Sequence, residues 1–190
     1  MTARFFDLTL QTRPGRVFTP RVTTEPLVEA ALERLGDRPA RVADVGTGSG
    51  AIAVALAWHA PDVEIWASDT SNEAVRLAQA NAAAAGVADR VHVGAGDLLQ
   101  GVPHDLDLVL ANLPYLADTA PDERYAAEPP GAVYAADDGL EPYRRLLAQA
   151  AGHLLADGAV IVQLRGEILE AERHELPSLA ARLESLAAAA

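Results

Sequence analysis

The sequence contains no cysteine. That removes disulfides, thiolate nucleophiles and cysteine metal sites from consideration, and with only five histidines, scattered along the chain, no metal is expected. No run of about 18 uncharged apolar residues occurs. The opening "MTARFFDLTLQTRPGR" is too charged and too broken for the apolar segment of a secretion signal, so a cytoplasmic protein without a membrane partner is expected. Basic residues are also scarce: 15 Lys and Arg against 27 Asp and Glu leave a net charge of -12. Non-specific nucleic-acid affinity comes mainly from basic side chains that release counterions, so nucleic acid is not expected as a direct partner.

What is present is a chain of 190 residues that is 50% hydrophobic, enough for one domain over 1–190 with a sizeable core. Four β-branched-rich runs each close in Gly, Asp or Asn: "ARVADVG" (40–46), "VEIWASD" (63–69), "RVHVGAGD" (90–97) and "LDLVLANLP" (106–114). A fifth, "GAVIVQL", covers 158–164, and Ala- and Leu-rich segments of helical period lie between the runs. Strands alternating with helices predict right-handed parallel crossovers in an α/β, doubly wound sheet. Residues 1–36 read as part of the same domain: a hairpin turning at Pro14-Gly15, a loop through Thr19-Pro20-Arg21, and an amphipathic helix that Gly36 stops. Ser71 and its neighbours cap the second crossover helix and Gly86 ends it. From Glu167 onward the sequence reads as helix, with Pro177 as a break, which leaves the fifth strand as an open apolar edge. A second copy, another subunit or the C-terminal helix would cover it.

In open α/β sheets ligands bind beyond the carboxyl ends of the strands, where this chain places its Gly, Asp and Asn residues. "DVGTGSG" carries Gly46, Thr47, Gly48 and Gly50 between the first strand and its helix, and glycines there let a ligand lie against the backbone. This signal is shared by nicotinamide, flavin and S-adenosylmethionine (SAM) binders. Asp69, with Thr70 behind it, ends the second strand where a carboxylate accepts hydrogen bonds from a ribose. Asp44 and Asp97 are expected on the same cleft. Clustered carboxylates repel the two phosphates of a dinucleotide, whereas SAM carries a sulfonium and no phosphate, so the acidic rim favours SAM.

The tip of the fourth strand, "ANLPY", is the candidate catalytic segment. Asn112 offers an amide oxygen and Leu113 a backbone carbonyl, together able to take both hydrogens of a planar –NH2 group. An amide or aromatic amine is a poor nucleophile, and fixing its hydrogens orients the nitrogen and favours charge build-up there in the transition state. Pro114 holds Leu113 extended, and Tyr115 supplies a flat wall.

These residues make the sequence similar to class I SAM-dependent methyltransferases with a Rossmann-like sheet. The nearest resemblance is to the release-factor glutamine N5-methyltransferases of the HemK/PrmC family, over about Phe5 to Gln163. "VADVGTGSGAIAVALA" resembles the family's cofactor motif, "NLPY" its Asn-Pro-Pro-Tyr, "FTPRVTTEPLV" its proline-arginine loop, and "YAAEPPGAVYAADDGLEPYRRLL" its Glu-Pro segment followed by Asp-Gly-Leu and Tyr-Arg. The resemblance implies methyl transfer from SAM to the glutamine amide of a Gly-Gly-Gln loop in a peptide chain release factor. It places Asp44, Gly46, Gly48 and Gly50 at the methionine end of the cofactor, Asp69 at its ribose, and Asp97 with Leu98 at the adenine. Asn112 and Tyr115 would hold the glutamine amide, and Pro20 and Arg21 would lie in a loop closing over the site, Arg21 paired with Glu25 or Asp138 if its role is structural.

The sequence departs from the family where Leu113 replaces the first proline, placing a flexible apolar side chain at the site. It also departs where Val22-Thr23 replaces Pro-Glu and where Gln163 replaces a strand-five acid. It shows no counterpart of the helical domain by which bacterial members dock the release factor, nor of the fold's last antiparallel strand pair. Family members without that helical domain work with a small zinc-binding activator, so an activator subunit or a homodimer is the expected cover for the open edge. Two alternatives stay open: an N-methyltransferase acting on a nucleobase amine of RNA or DNA, and a diverged non-catalytic SAM-binding or interaction paralogue.

Overall fold

The computed structural model of the chain describes residues 1–118 and 122–188. Strands β1 (Thr2–Phe5) and β2 (Leu8–Gln11) form an antiparallel hairpin. Its turn is Phe6-Asp7, both at positive φ (45° and 67°), not Pro14-Gly15 as the sequence predicts. Turning there lets Phe5 and Leu10 reach the core. Pro14-Gly15 makes a separate tight turn in which the Arg16 and Val17 amides both return to the Arg13 carbonyl. A 3-10 turn, Val22–Thr24, then leads into α1 (Glu25–Leu35), which Gly36 ends at φ 56°.

The crossover units follow as predicted: β3 (Ala40–Val45), α2 (Ala51–His59), β4 (Val63–Asp69), α3 (Asn72–Ala84), β5 (Val91–Ala95) and β6 (Leu106–Ala111). Between Ala51 and Ala57 every residue of α2 is buried, which is why "AIAVALA" is apolar all round. Ser71 caps α3 by accepting from the Ala74 amide at 3.3 Å. Two short strands, β7 (Leu116–Ala117) and β8 (Tyr134–Ala135), pair in parallel above the sheet. The chain closes with α4 (Glu141–His153), β9 (Leu154–Leu164), β10 (Glu167–Glu172) and α5 (Leu176–Ala188).

The six-stranded sheet has the order β10-β9-β6-β3-β4-β5, parallel except for β10. One face packs Val42, Ile65, Leu108, Leu110 and Ile161 against α1 and α2. The other packs Val45, Val109, Ala111, Val160 and Val162 against α4 and α5. Burial on both faces explains the continuous apolar runs of β3, β6 and β9.

The C-terminal expectation needs correction. Glu167–Glu172 is a strand, not helix, and it pairs antiparallel with β9 through the two-residue turn Arg165-Gly166, both at positive φ (53° and 88°). Leu169 and Ala171 are buried against α5 while Glu170 between them stays exposed, the period-2 pattern of a half-covered strand. The edge of β9 is therefore covered from within the chain, and the argument for a second copy or an activator on that edge falls away. Pro177 does not break a helix; it sits in the first turn of α5, where its missing N–H costs nothing.

Candidate active site

The cleft lies beyond the carboxyl ends of β3, β4 and β6 and has a volume of about 720 Å³, within the range that takes a nucleoside-sized ligand. Its floor is the glycine loop. Gly46, Gly48 and Gly50 all have left-handed φ (71°, 56° and 79°), a conformation that side chains disfavour. The Gly46 and Thr47 amides donate to the Ser68 carbonyl at 2.9 and 3.0 Å, which ties the loop to β4. Gly48 lies open to the cleft, whereas Gly50 packs on α3, where an added Cβ would stand 2.9 Å from Ala78 Cβ.

The three acids predicted on one rim occupy three different environments. Asp44 is fully buried beneath the loop: its Oδ2 accepts from Thr47 Oγ1 at 2.6 Å and the Ala53 amide at 3.1 Å, and its Oδ1 has no partner. Burial pushes its pKa up to about 6. Asp69 lines the cleft, each oxygen accepting one amide hydrogen, from Gly48 at 2.9 Å and Ser71 at 2.8 Å. Each oxygen keeps lone-pair capacity for a ribose diol. Asp97 lines the cleft with Leu98 but is ion-paired with Arg145. Thr70 lines the cleft beside Asp69. The rim is thus less acidic than expected, because Arg16, Arg21, Arg124, Arg145 and Arg165 also face it.

At the tip of β6, Asn112 donates its amide Nδ2 to Thr24 Oγ1 at 3.0 Å, which leaves Oδ1 as the cleft-facing acceptor. Leu113 lines the cleft, but its side chain is packed in place, not loose. The Leu113 side chain is buried and packs over Gly46, to whose added Cβ its Cδ2 would be only 2.7 Å. The missing proline ring is thereby replaced by a core contact. Leu113 is held by Tyr143, whose hydroxyl accepts from the Leu113 amide at 3.1 Å and donates to the Gln163 carbonyl at 2.6 Å. Pro114 and Tyr115 continue along the cleft wall. Burial, then the Tyr125 hydroxyl, push the Tyr115 phenol up to about 12, so it stays neutral.

The loop carrying Pro20 and Arg21 closes over the cleft by joining the Glu128-Pro129 segment. Glu128 accepts from the Thr19 amide at 2.9 Å and from Arg21 Nη2 at 3.4 Å. Arg21 therefore pairs with Glu128, not with Glu25 or Asp138. Its guanidinium also lies 4.5 Å from the Tyr125 ring centre and 5.3 Å from that of Phe18. Glu25 accepts from the Phe6 amide, and Asp138 pairs with Arg144 while capping the Leu140 amide. The Asp-Gly-Leu run owes its glycine to contact with the site: Gly139, at φ 83°, lies against the Tyr115 carbonyl.

Sequence reasoning missed four residues here. Thr24, Tyr143 and Gln163 stood in quoted motifs without a role. Buried Asn81 of α3 bonds the Gln11 backbone in both directions and the Ser49 carbonyl at 2.8 Å, which locks hairpin and glycine loop together. A polar residue amid the apolar positions of "EAVRLAQANAAA" was the available signal.

Comparison with known proteins places this architecture. The methyltransferase small domain family matches residues 17–167, and the chain belongs to that family. It is 40% identical over 179 residues to the release factor glutamine methyltransferase of Deinococcus radiodurans, covering 92% of this chain and 61% of that protein. It is 38% identical over 170 residues to that of Gloeobacter violaceus, covering 86% and 59%. The chain therefore spans about three fifths of the length of these relatives. Among solved structures, a ribosomal protein L11 methylase from Lactobacillus delbrueckii superposes with a TM-score of 0.58 at 26% identity, over 88% of this chain and 69% of that one. A Thermus thermophilus 16S rRNA N2 G1207 methyltransferase, in complex with AdoMet and guanosine, shares the fold at a TM-score of 0.62 and 19% identity, over 85% and 40%. Among the described residues no helix is long and apolar enough to cross a membrane, and no group of His, Cys, Asp and Glu is arranged to hold a metal ion.

Proposed function

We propose that this domain transfers a methyl group from SAM to the side-chain amide nitrogen of a protein glutamine, in the Gly-Gly-Gln loop of a peptide chain release factor. The observation that carries the reading is the tip of β6. There Asn112 gives its NH2 to Thr24, which leaves its Oδ1 to accept, and the adjoining Leu113, also in the cleft wall, carries a second acceptor in its backbone carbonyl. Two neighbouring acceptors fit the two hydrogens of one –NH2 group. The 36–41% identity of release factor glutamine methyltransferases supports the substrate class. Such a substrate belongs to the cytoplasm, where translation terminates.

The cleft fits SAM on its donor set: a diol-accepting carboxylate at Asp69 and an open glycine at Gly48. When bound, SAM supplies an electrophilic methyl on a sulfonium. The protein's own part is to bind and orient. Asn112 and Leu113 accept the amine hydrogens and so favour positive charge on the nitrogen as it attacks. Tyr115 walls the planar group, and the Arg21–Glu128 clasp covers the cleft and excludes water.

The test is incubation with SAM and release factor, followed by mass spectrometry of the Gly-Gly-Gln peptide. A gain of one CH2 on the glutamine is expected; an unmodified glutamine, or methylation of a nucleobase instead, overturns the reading. Asn112→Ala should reduce turnover by about 10²–10³-fold, the loss typical of one transition-state contact, with SAM affinity nearly intact. Asp69→Ala should weaken SAM binding first. The reverse pattern in calorimetry and kinetics would refute these assignments.

A further inference from the structure

The two acceptors at the tip of β6 are not free-standing. Asn112 donates to Thr24 Oγ1 at 3.0 Å. The residue before Thr24 is Thr23, whose carbonyl accepts from the side-chain amide of Gln163. The backbone carbonyl of Gln163 accepts from the Tyr143 hydroxyl at 2.6 Å, and that hydroxyl accepts from the Leu113 amide at 3.1 Å. Leu113 is bonded to Asn112, so the circuit closes. Its members come from four places in the chain: the 3-10 turn before α1, the end of β6, the start of α4 and the end of β9. Thr24, Tyr143 and Gln163 are all buried, which limits the competition of water for these bonds.

We infer that Thr24 and Tyr143 are positioning residues, one for each acceptor, acting through this closed hydrogen-bond ring. The inference rests on the reading of β6 as the amine-binding tip. An Asn amide can present either its oxygen or its NH2, and an NH2 turned toward the substrate amine would set donor against donor. In this structure the Thr24 hydroxyl accepts the NH2 on the α1 side of the sheet and holds Oδ1 turned away from it. Tyr143 acts from the α4 side. Its single hydrogen goes to the nearer acceptor, the Gln163 carbonyl, while its oxygen holds the Leu113 amide. The Leu113 carbonyl, 3.1 Å from the same oxygen, keeps its capacity for the substrate. Burial raises the ionisation of the Tyr143 phenol far above its ordinary range, so the hydroxyl keeps its hydrogen at any working pH.

The test uses Thr24→Val, which keeps the shape and loses the hydroxyl, Thr24→Ser, which keeps the hydroxyl, and Tyr143→Phe. Thr24→Val and Tyr143→Phe should each lower kcat by about tenfold to a hundredfold, the loss that misplacement of a reacting group brings. SAM affinity should stay within about twofold, and Thr24→Ser should recover most of the rate. A readout without substrate accompanies it: in 15N-labelled protein the Asn112 side-chain NH2 should exchange slowly with solvent, and Thr24→Val should bring it to the rate of an open amide. Unchanged kcat, an equal loss of SAM affinity, or unaltered NH2 exchange in Thr24→Val would each overturn the inference. Because the exchange arm needs no acceptor, it decides the ring even if wild type leaves the release factor unmodified. Tyr143 lies in the core and its variant risks unfolding; Thr24, in a 3-10 turn, keeps the inference falsifiable.

Discussion

Replacing Gly139 by alanine should damage the site far more than the fold. A Cβ added at Gly139 would stand 2.2 Å from the Tyr115 carbonyl oxygen and 2.8 Å from its carbon. Relieving that overlap needs a shift of about 1 Å, and tight packing transmits it to the Tyr115 backbone instead of absorbing it. Gly139 also sits at φ 83°, where alanine costs roughly 1–3 kcal/mol. For a chain of this size each kcal/mol lowers Tm by about 2–4 °C. A displacement of about 1 Å at a reacting group can cost about 10²-fold in rate. The control is Gly86→Ala, at φ 72° with nothing within 4 Å of the new Cβ. Gly86→Ala should lose only the backbone-strain part of the stability in a thermal melt and Gly139→Ala somewhat more, and only Gly139→Ala should lose kcat in the methyl-transfer assay. Equal kcat in the two would show that contact with Tyr115 has no bearing on the chemistry.

Asp44 should give stability a marked pH dependence. Its folded pKa is raised from 3.8 to about 6, so the folded state binds its proton more tightly than the unfolded chain does. The stability this confers is full below about pH 4 and is lost, by roughly 3 kcal/mol in all, as pH rises through 4 to 6. Urea unfolding at pH 4 and 7 should show that decline in wild type and not in Asp44→Asn; the same slope in both would count against it. Glu128→Ala should raise KM for the acceptor by about tenfold, the worth of a buried hydrogen bond, with SAM affinity kept. Steady-state kinetics with an unchanged KM would mean that the Thr19–Glu128 and Arg21–Glu128 contacts do not order the cleft.

The parallel sheet was legible because its strands are buried on both faces and announce themselves as β-branched runs. β10 was not. "LEAE" alternates in the manner of a strand, but Glu, Leu and Ala are strong helix formers, and its turn opens with an arginine at positive φ before Gly166, where Asn or Gly is the usual signal. The first hairpin was legible but its turn was not, since Phe6-Asp7 is a weaker turn signal than the Pro14-Gly15 pair. At the site, Asn112 and Asp69 could be found because a strand end fixes where its last side chain stands. Asp44 stands one residue before the end of β3, and the alternation of the strand points it under α2, where the Ala53 amide holds it. Thr24 and Gln163 gain their roles from partners 88 and 140 residues away, and no local pattern encodes such a meeting.

Those long separations bear on when the site exists at all. The segment before α1 joins the rest of the site through Gln11 to Asn81, Thr19 to Glu128, Thr23 to Gln163 and Thr24 to Asn112, while the six-stranded sheet takes no strand from it. Peeling residues 1–24 away would dismantle the acceptor pair and leave the sheet standing. Domains open by such cooperative segments at less than the full cost of unfolding. The sheet is thus the durable part of this protein and competence the perishable one. Native-state hydrogen exchange should find the Phe6 and Gln11 amides opening together, well before those of β3 and β6; simultaneous opening of all four would mean that the site persists for as long as the fold does.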